Sequence, residues 1–240
     1  MKISLYPTPA ALKQTTFDGA LAVVIDVLRA STTIATALAN GCAEIIPTAE
    51  VQEALKVAAR LPRNSYLLCG ERLGKKIDGF DLGNSPLEYA PERVQGKTII
   101  LTTTNGTRAL LSCRTAELTL VLALINLNAV AEFVLARQMD VHVVCSGTNG
   151  KPSLEDSVCA GLLVDFLHKQ SPSSSVLNES ARASIKLAHR WQNNLLAMLH
   201  ASPHGQYLVR TGFENDLAFA AQFDALTVVP IFGKGVIKRA

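Results

Sequence analysis

The chain has 240 residues, 48% hydrophobic and 18% charged, the composition of a globular protein with length enough for a sizeable core. The net charge is +3 with no basic run beyond Lys75-Lys76 and Lys238-Arg239, and aromatics are 5%, so neither a nucleic-acid stripe nor a base-stacking surface is expected. The longest apolar stretch, 118–125, is too short for a bilayer, residues 1–7 lack a signal-peptide core, and five cysteines without a CxxC pair suggest neither disulfides nor a thiolate zinc site; the expected compartment is the cytoplasm.

Apolar, β-branched runs alternate with helix-period segments. Residues 21–25 read as a strand, and Ser31 or Thr32 caps a helix that stops at Asn40-Gly41. Residues 44–47 form a short strand, Thr48 caps a helix through Arg60, and 66–69 form the next strand. A polar, glycine-rich segment over 70–85 is a candidate functional loop. The pattern then restarts: strands over 98–101, 118–122 and 141–145 alternate with helices over 107–113, 128–137 and 155–169. Residues 171–175, Ser-Pro-Ser-Ser-Ser, read as a short flexible connection. Helices are predicted over 180–200, 206–209 and 215–222, and a last strand over 227–231, at a sheet edge because of Pro230. Strands without polar alternation fit parallel strands covered on both faces. The expected fold is therefore α/β, a mostly parallel sheet flanked by helices. The restart suggests one domain built of two α/β lobes, about 1–95 and 96–240, with the site between them.

Two strand-to-helix turns stand out, because open α/β sheets bind anions where strands end and helix N-termini converge. Asp26-Val27-Leu28-Arg29-Ala30-Ser31-Thr32-Thr33 supplies a carboxylate for a metal or for attack on phosphorus, an arginine, and hydroxyls; Arg29 is hard to explain as capping. Thr102-Thr103-Thr104-Asn105-Gly106-Thr107-Arg108 offers hydroxyls, an amide and a glycine within one turn, rich for a structural cap. On the loop, Glu71, Arg72 and Asp81 fall among glycines 70, 74, 79 and 83. Glu155-Asp156 opens a helix, where two acids suit either the positive helix end or magnesium, which takes one or two carboxylates. His204, on a turn, is the histidine best placed for a site.

Familiar phosphate chemistries fail on spacing. Gly147 and Gly150 are too close for a P-loop, and Pro152 follows Lys151. A cysteine phosphatase loop starting at Cys145 would need arginine where Lys151 stands, and Leu28 occupies the second acid of an Asp-x-Asp phosphatase.

Together these motifs resemble the 2-phosphosulfolactate phosphatase family. The resemblance rests on 26–33, Gly70-Glu71-Arg72, 79–86, 102–108, Cys145-Ser146-Gly147 with Glu155-Asp156 and Cys159-Ala160-Gly161, then Ser202, His204-Gly205 and Val229-Pro230, in order across most of the chain. It implies an α/β fold outside the standard phosphatase folds and a Mg2+-dependent hydrolase that converts 2-phospho-3-sulfolactate to 3-sulfolactate and phosphate, in methanogens a step of coenzyme M synthesis. On that reading Asp26, Arg29, Glu71 and Arg72 are catalytic, and Asp26 with Glu155 or Asp156 holds the metal. Ser31, Thr32, Asn84, Ser85, Thr103, Thr104, Asn105, Gly106, Thr107, Ser146, Gly147 and His204 bind the substrate. The nucleophile is water or Asp26. The expected partner is a small anionic phosphorylated acid, without nucleic acid or membrane, and a homo-oligomer is compatible with this reading. The alternatives are a phosphatase of another small 2-phospho acid and a non-catalytic binder of phosphorylated or sulfonated acids.

Overall fold

The computed structural model describes residues 1–12, 15–170 and 175–240; most of the predicted serine-rich connection lies outside them. Its eleven-stranded sheet runs β5-β4-β6-β3-β11-β10-β7-β2-β8-β1-β9. The strands are β1 (Lys2–Tyr6), β2 (Ala20–Ile25), β3 (Glu44–Thr48), β4 (Tyr66–Arg72), β5 (Lys75–Lys76), β6 (Thr98–Thr102), β7 (Leu118–Leu122), β8 (Asp140–Cys145), β9 (Val176–Leu177), β10 (Pro230–Gly233) and β11 (Val236–Arg239). The helices are α1 (Ala30–Ala39), α2 (Val51–Ala58), α3 (Pro91–Val94), α4 (Gly106–Ser112), α5 (Leu127–Arg137), α6 (Leu154–Gln170), α7 (Glu179–Trp191), α8 (Leu195–Ala201), α9 (Pro203–Arg210) and α10 (Glu214–Ala220). No helix among the described residues is long and apolar enough to cross a membrane.

Two parallel groups make up the sheet: β4-β6-β3, and β7-β2-β8-β1-β9. The β10–β11 hairpin joins them through three antiparallel pairings, to β7, within itself and to β3, so the two groups run in opposite senses. The halves expected at 1–95 and 96–240 interleave: β6 pairs with β3 and β4, while β2 lies between β7 and β8. The last strand, expected at an edge, is interior. Pro230 is the first residue of β10, where its missing N–H costs no ladder bond, so the proline marked a strand start. The edges are the two-residue strands β5 and β9, too short to template further pairing.

Every residue of β2 is buried, as its unbroken apolar run requires. On one face, Leu21, Val23 and Ile25 pack with β7, β8 and helices α5, α6 and α8. On the other, Ala22 and Val24 join Ile34 and Leu38 of α1, Ala109 and Leu110 of α4, and residues of the other parallel group, Ile45, Cys69, Ile99 and Leu101. α1 is thus enclosed between the two groups, and each residue from Ala30 to Leu38 is buried. Its Ala-Ser-Thr-Thr-Ile-Ala-Thr-Ala-Leu-Ala composition permits this, since small residues on all sides let neighbours approach closely. The predicted helix over 180–200 is two helices, because Asn194 accepts from Ala197 N (3.1 Å) and caps α8.

Candidate active site

The C-terminal ends of β2, β4 and β6 converge despite the opposed sense of the two groups, and α1 and α4 meet there. Gly106 makes the contact possible. A Cβ at this position would lie 2.5 Å from Ala30 Cβ and 2.7 Å from Asp26 Oδ2, too close for any side chain. Beside this junction is a cavity of about 300 Å³ lined in part by Arg29, Glu71, Asn84, Thr104, Asn105 and His204, with Leu73, Pro203 and Tyr207 forming an apolar wall. That is the lower end of the range for small-molecule sites.

Arg29 is 3% exposed, and its guanidinium is fixed on three sides. Nη1 donates to Asp216 Oδ2 (2.8 Å), Nη2 donates to Gly74 O (2.6 Å), and the Phe213 ring lies 4.3 Å from the guanidinium carbon. Glu71 closes the same wall by accepting from Thr104 N (2.6 Å) and Gly74 N (2.7 Å), tying the β4–β5 turn to the β6–α4 turn. Tyr207 Oη donates to Leu73 O (2.7 Å), so α9 holds this turn as well. The His204 ring stacks on Tyr207; burial, and then the charge of Arg29, hold its pKa below the ordinary value, which favours the neutral ring.

Three carboxylates are buried next to the cavity wall. Asp26 accepts from Ala30 N (3.1 Å) while its own N–H donates to Ser31 Oγ (2.9 Å). Burial and then repulsion from Asp156 push its pKa up to about 7. Glu155 is raised to about 8, by burial and then by Asp156, and its Oε2 is buried without a hydrogen-bond partner. Asp156, also raised by burial, accepts from Val27 N (2.9 Å), Gly147 N (3.0 Å) and Ser146 Oγ (3.2 Å). Burial opposes the charge on all three, and Asp156 makes ionisation of both Asp26 and Glu155 harder.

A family model described as 2-phosphosulpholactate phosphatase matches residues 6–235. The chain belongs to this family. Relatives named probable 2-phosphosulfolactate phosphatase include that of Symbiobacterium thermophilum, 43% identical over 220 residues, covering 91% of this chain and 94% of that one. The protein of the same name from Nostoc punctiforme is 42% identical over 243 residues, covering 99% and 98% of the two chains. That of Synechococcus sp. (strain CC9605) is 45% identical over 244 residues, covering 100% of both.

The family motifs divide by what their side chains touch. Arg29, Glu71, Asn84, Thr104, Asn105 and His204 line the cavity, and Asp26, Glu155 and Asp156 cluster beside it. Others face their own backbone. Ser31 accepts from Asp26 N, and Thr32 Oγ1 donates to Val27 O (2.7 Å). Thr103 Oγ1 accepts from Thr107 N (3.0 Å), and Thr107 Oγ1 from Thr103 N (3.1 Å), closing the turn before α4. Ser146 and Gly147 bond Asp156, and Ser85 Oγ donates to Asp216 (2.6 Å). Arg72 donates to Glu71 O, Ala49 O and Thr102 Oγ1, a brace across the ends of β4 and β6. Arg108 is on the surface, paired with Glu50 (2.7 Å). Sequence reasoning missed Asp216, Phe213 and Tyr207. In Glu214-Asn215-Asp216 the acids read as ordinary first-turn residues of α10, and no local signal ties them to a residue nearly two hundred positions earlier.

Proposed function

We propose that this chain is a magnesium-dependent phosphatase that hydrolyses 2-phospho-3-sulfolactate to 3-sulfolactate and phosphate. The observation that carries the reading is one small cavity with a fixed guanidinium in its wall and a cluster of mutually repelling buried carboxylates beside it. The family name, and the names of the relatives, support the same substrate for this chain.

The acids suit a hard divalent cation. Glu155 Oε2 has no protein partner and Asp26 carries a raised pKa, whereas both Asp156 oxygens already accept bonds that tie the β2–α1 turn to the start of α6. Among the described residues no group of three or more His, Cys, Asp or Glu is placed to hold a metal ion by itself; Mg2+ asks for only one or two carboxylates and completes its shell with water and substrate phosphate. Asp26 and Glu155 would hold it, and Asp156 braces them. Bound there, the metal supplies charge stabilisation at the phosphoryl oxygens and acidifies water.

The chain's own groups do the rest. Arg29 holds an anionic oxygen with the N–H groups that Asp216 and Gly74 leave to the cavity. Thr104 Oγ1 and the Asn84 side-chain oxygen are buried without partners on the cavity wall, so they receive the substrate's polar atoms; the Asn84 amide presents either its oxygen or its nitrogen. Neutral His204 adds a further polar contact, and the Leu73–Tyr207 wall limits water access. Water is the nucleophile in this reading, because Asp26 is engaged by Ala30 N and given to the metal. Its oxygen joins phosphorus, the bond from phosphorus to the C2 oxygen breaks, and a proton passes to that oxygen as the hydroxyl of sulfolactate forms.

Phosphate release measured across 2-phosphosulfolactate, 2-phospholactate and 2-phosphoglycerate tests the assignment. Preference for the sulfonated acid supports it. Equal turnover of all three contradicts the substrate, and release from none of them favours a binder.

A further inference from the structure

Arg29 is the one Arg or Lys among the described residues that line the cavity. Its direction is set from behind by Asp216, itself 1% exposed and absent from the cavity wall. The carboxylate uses both oxygens: Oδ2 takes Arg29 Nη1 at 2.8 Å, and Oδ1 takes Ser85 Oγ at 2.6 Å. Ser85 follows Asn84, whose side chain lines the cavity and whose carbonyl accepts from Thr33 Oγ1 of α1 (2.9 Å). One buried carboxylate on α10 therefore fixes two segments of the wall, each contributing a polar side chain to it.

We propose that Asp216 is the positioning residue of this active site, aiming the free N–H groups of Arg29 at the substrate anion and holding the Asn84–Ser85 segment beside it. The proposal rests on the phosphatase reading for the identity of the anion. A buried ion pair is a poor device for stability, since apolar residues of similar volume commonly serve as well or better. Its use is to specify one geometry. With one oxygen on Arg29 and the other on Ser85, Asp216 cannot rotate away. The Gly74 carbonyl and the Phe213 ring remove the remaining freedom of the guanidinium. A guanidinium misplaced by about 1 Å costs on the order of 100-fold in rate.

The test is a double-mutant cycle between Asp216→Asn and Arg29→Lys, with kcat and KM for phosphate release from 2-phosphosulfolactate in Mg2+ and thermal midpoints recorded in parallel. Asp216→Asn keeps the shape and removes the charge that orients Arg29. We expect kcat/KM to fall on the order of 100-fold, competitive inhibition by inorganic phosphate to weaken in parallel, and the double variant to lose no more than Arg29→Lys alone. A lower thermal midpoint with wild-type kcat and KM, or losses that simply add, overturns the proposal. If Arg29→Lys impairs turnover and Asp216→Asn does not, the proposal fails while the phosphatase reading stands. If neither does, the role given to Arg29 fails as well. Should Asp216→Asn not fold, Ser85→Ala carries the test by releasing one oxygen of the carboxylate. A several-fold fall in kcat/KM that vanishes in the Arg29→Lys background supports positioning, and unchanged constants overturn it.

Discussion

Asp26 should oppose folding while serving catalysis, and the two can be separated by replacing it with Asn in metal-free protein. The folded-state pKa is about 7 against an ordinary 3.8, raised first by burial and then by Asp156. Between those values the folded chain keeps a proton that the unfolded chain has released. Stability therefore falls as pH rises through this window and levels off above the folded pKa. At ~1.4 kcal/mol per pH unit, the ionised Asp26 costs about 4 kcal/mol at about pH 8. Asn keeps the outline and an acceptor for Ala30 N but never ionises, and it gives up an acceptor toward Ser146. Allowing ~1–2 kcal/mol for that lost bond at either pH, Asp26→Asn should be about 1–2 kcal/mol less stable than wild type at about pH 4 and about 2–3 kcal/mol more stable at about pH 8. It should release no phosphate from 2-phosphosulfolactate. Urea unfolding with chelator across this pH range measures the difference. A variant less stable than wild type at about pH 8, or a difference that ignores pH, refutes the reasoning.

Other perturbations follow from the same contacts. Gly106→Ala places a methyl against Ala30 and Asp26 and should cost about 1–3 kcal/mol by over-packing, with kcat reduced in the protein that still folds; equilibrium unfolding and kinetics report both. Arg72→Ala removes three hydrogen bonds but no cavity contact, so stability should drop by about 1–3 kcal/mol while KM stays near wild type, in contrast to Arg29→Lys. Tyr207→Phe releases the Leu73 carbonyl and should raise KM a few-fold without changing the unfolding free energy by more than about 1 kcal/mol. With water as nucleophile, rapid quench during turnover should trap no hydroxylamine-sensitive phosphoenzyme; its detection would restore Asp26 as the attacking group.

The apolar runs of β2, β6, β7 and β8 were legible because strands buried on both faces carry no polar alternation, and each appears within a residue or two of its expected bounds. Strand sense and order were not legible. The β10–β11 hairpin reverses one parallel group relative to the other, a long-range arrangement that local pattern does not encode, and Pro230 pointed to an edge when it marks a strand start. Strands β1, β5, β9 and β11 escaped notice; β5 and β9 have two residues each and owe their form to their partners rather than to composition. At the site, the residue types clustered at strand ends were legible, but the direction of each side chain was not. Thr103 and Thr107 look like anion grips in sequence and cap each other in the fold. Arg29 and Arg72 look equivalent, yet one lines the cavity and the other braces two strands. Asp216 shows why: its partners, Arg29 and Ser85, become its neighbours only when α10 packs against the junction.

The most direct test of the central claim is phosphate release from 2-phosphosulfolactate by the wild-type chain, assayed with Mg2+, with chelator, and after Mg2+ is restored. Turnover that disappears with chelator and returns with the metal is the predicted result. Undiminished turnover in chelator would contradict the role given to Asp26 and Glu155, and no turnover under any of the three conditions would contradict the phosphatase assignment itself.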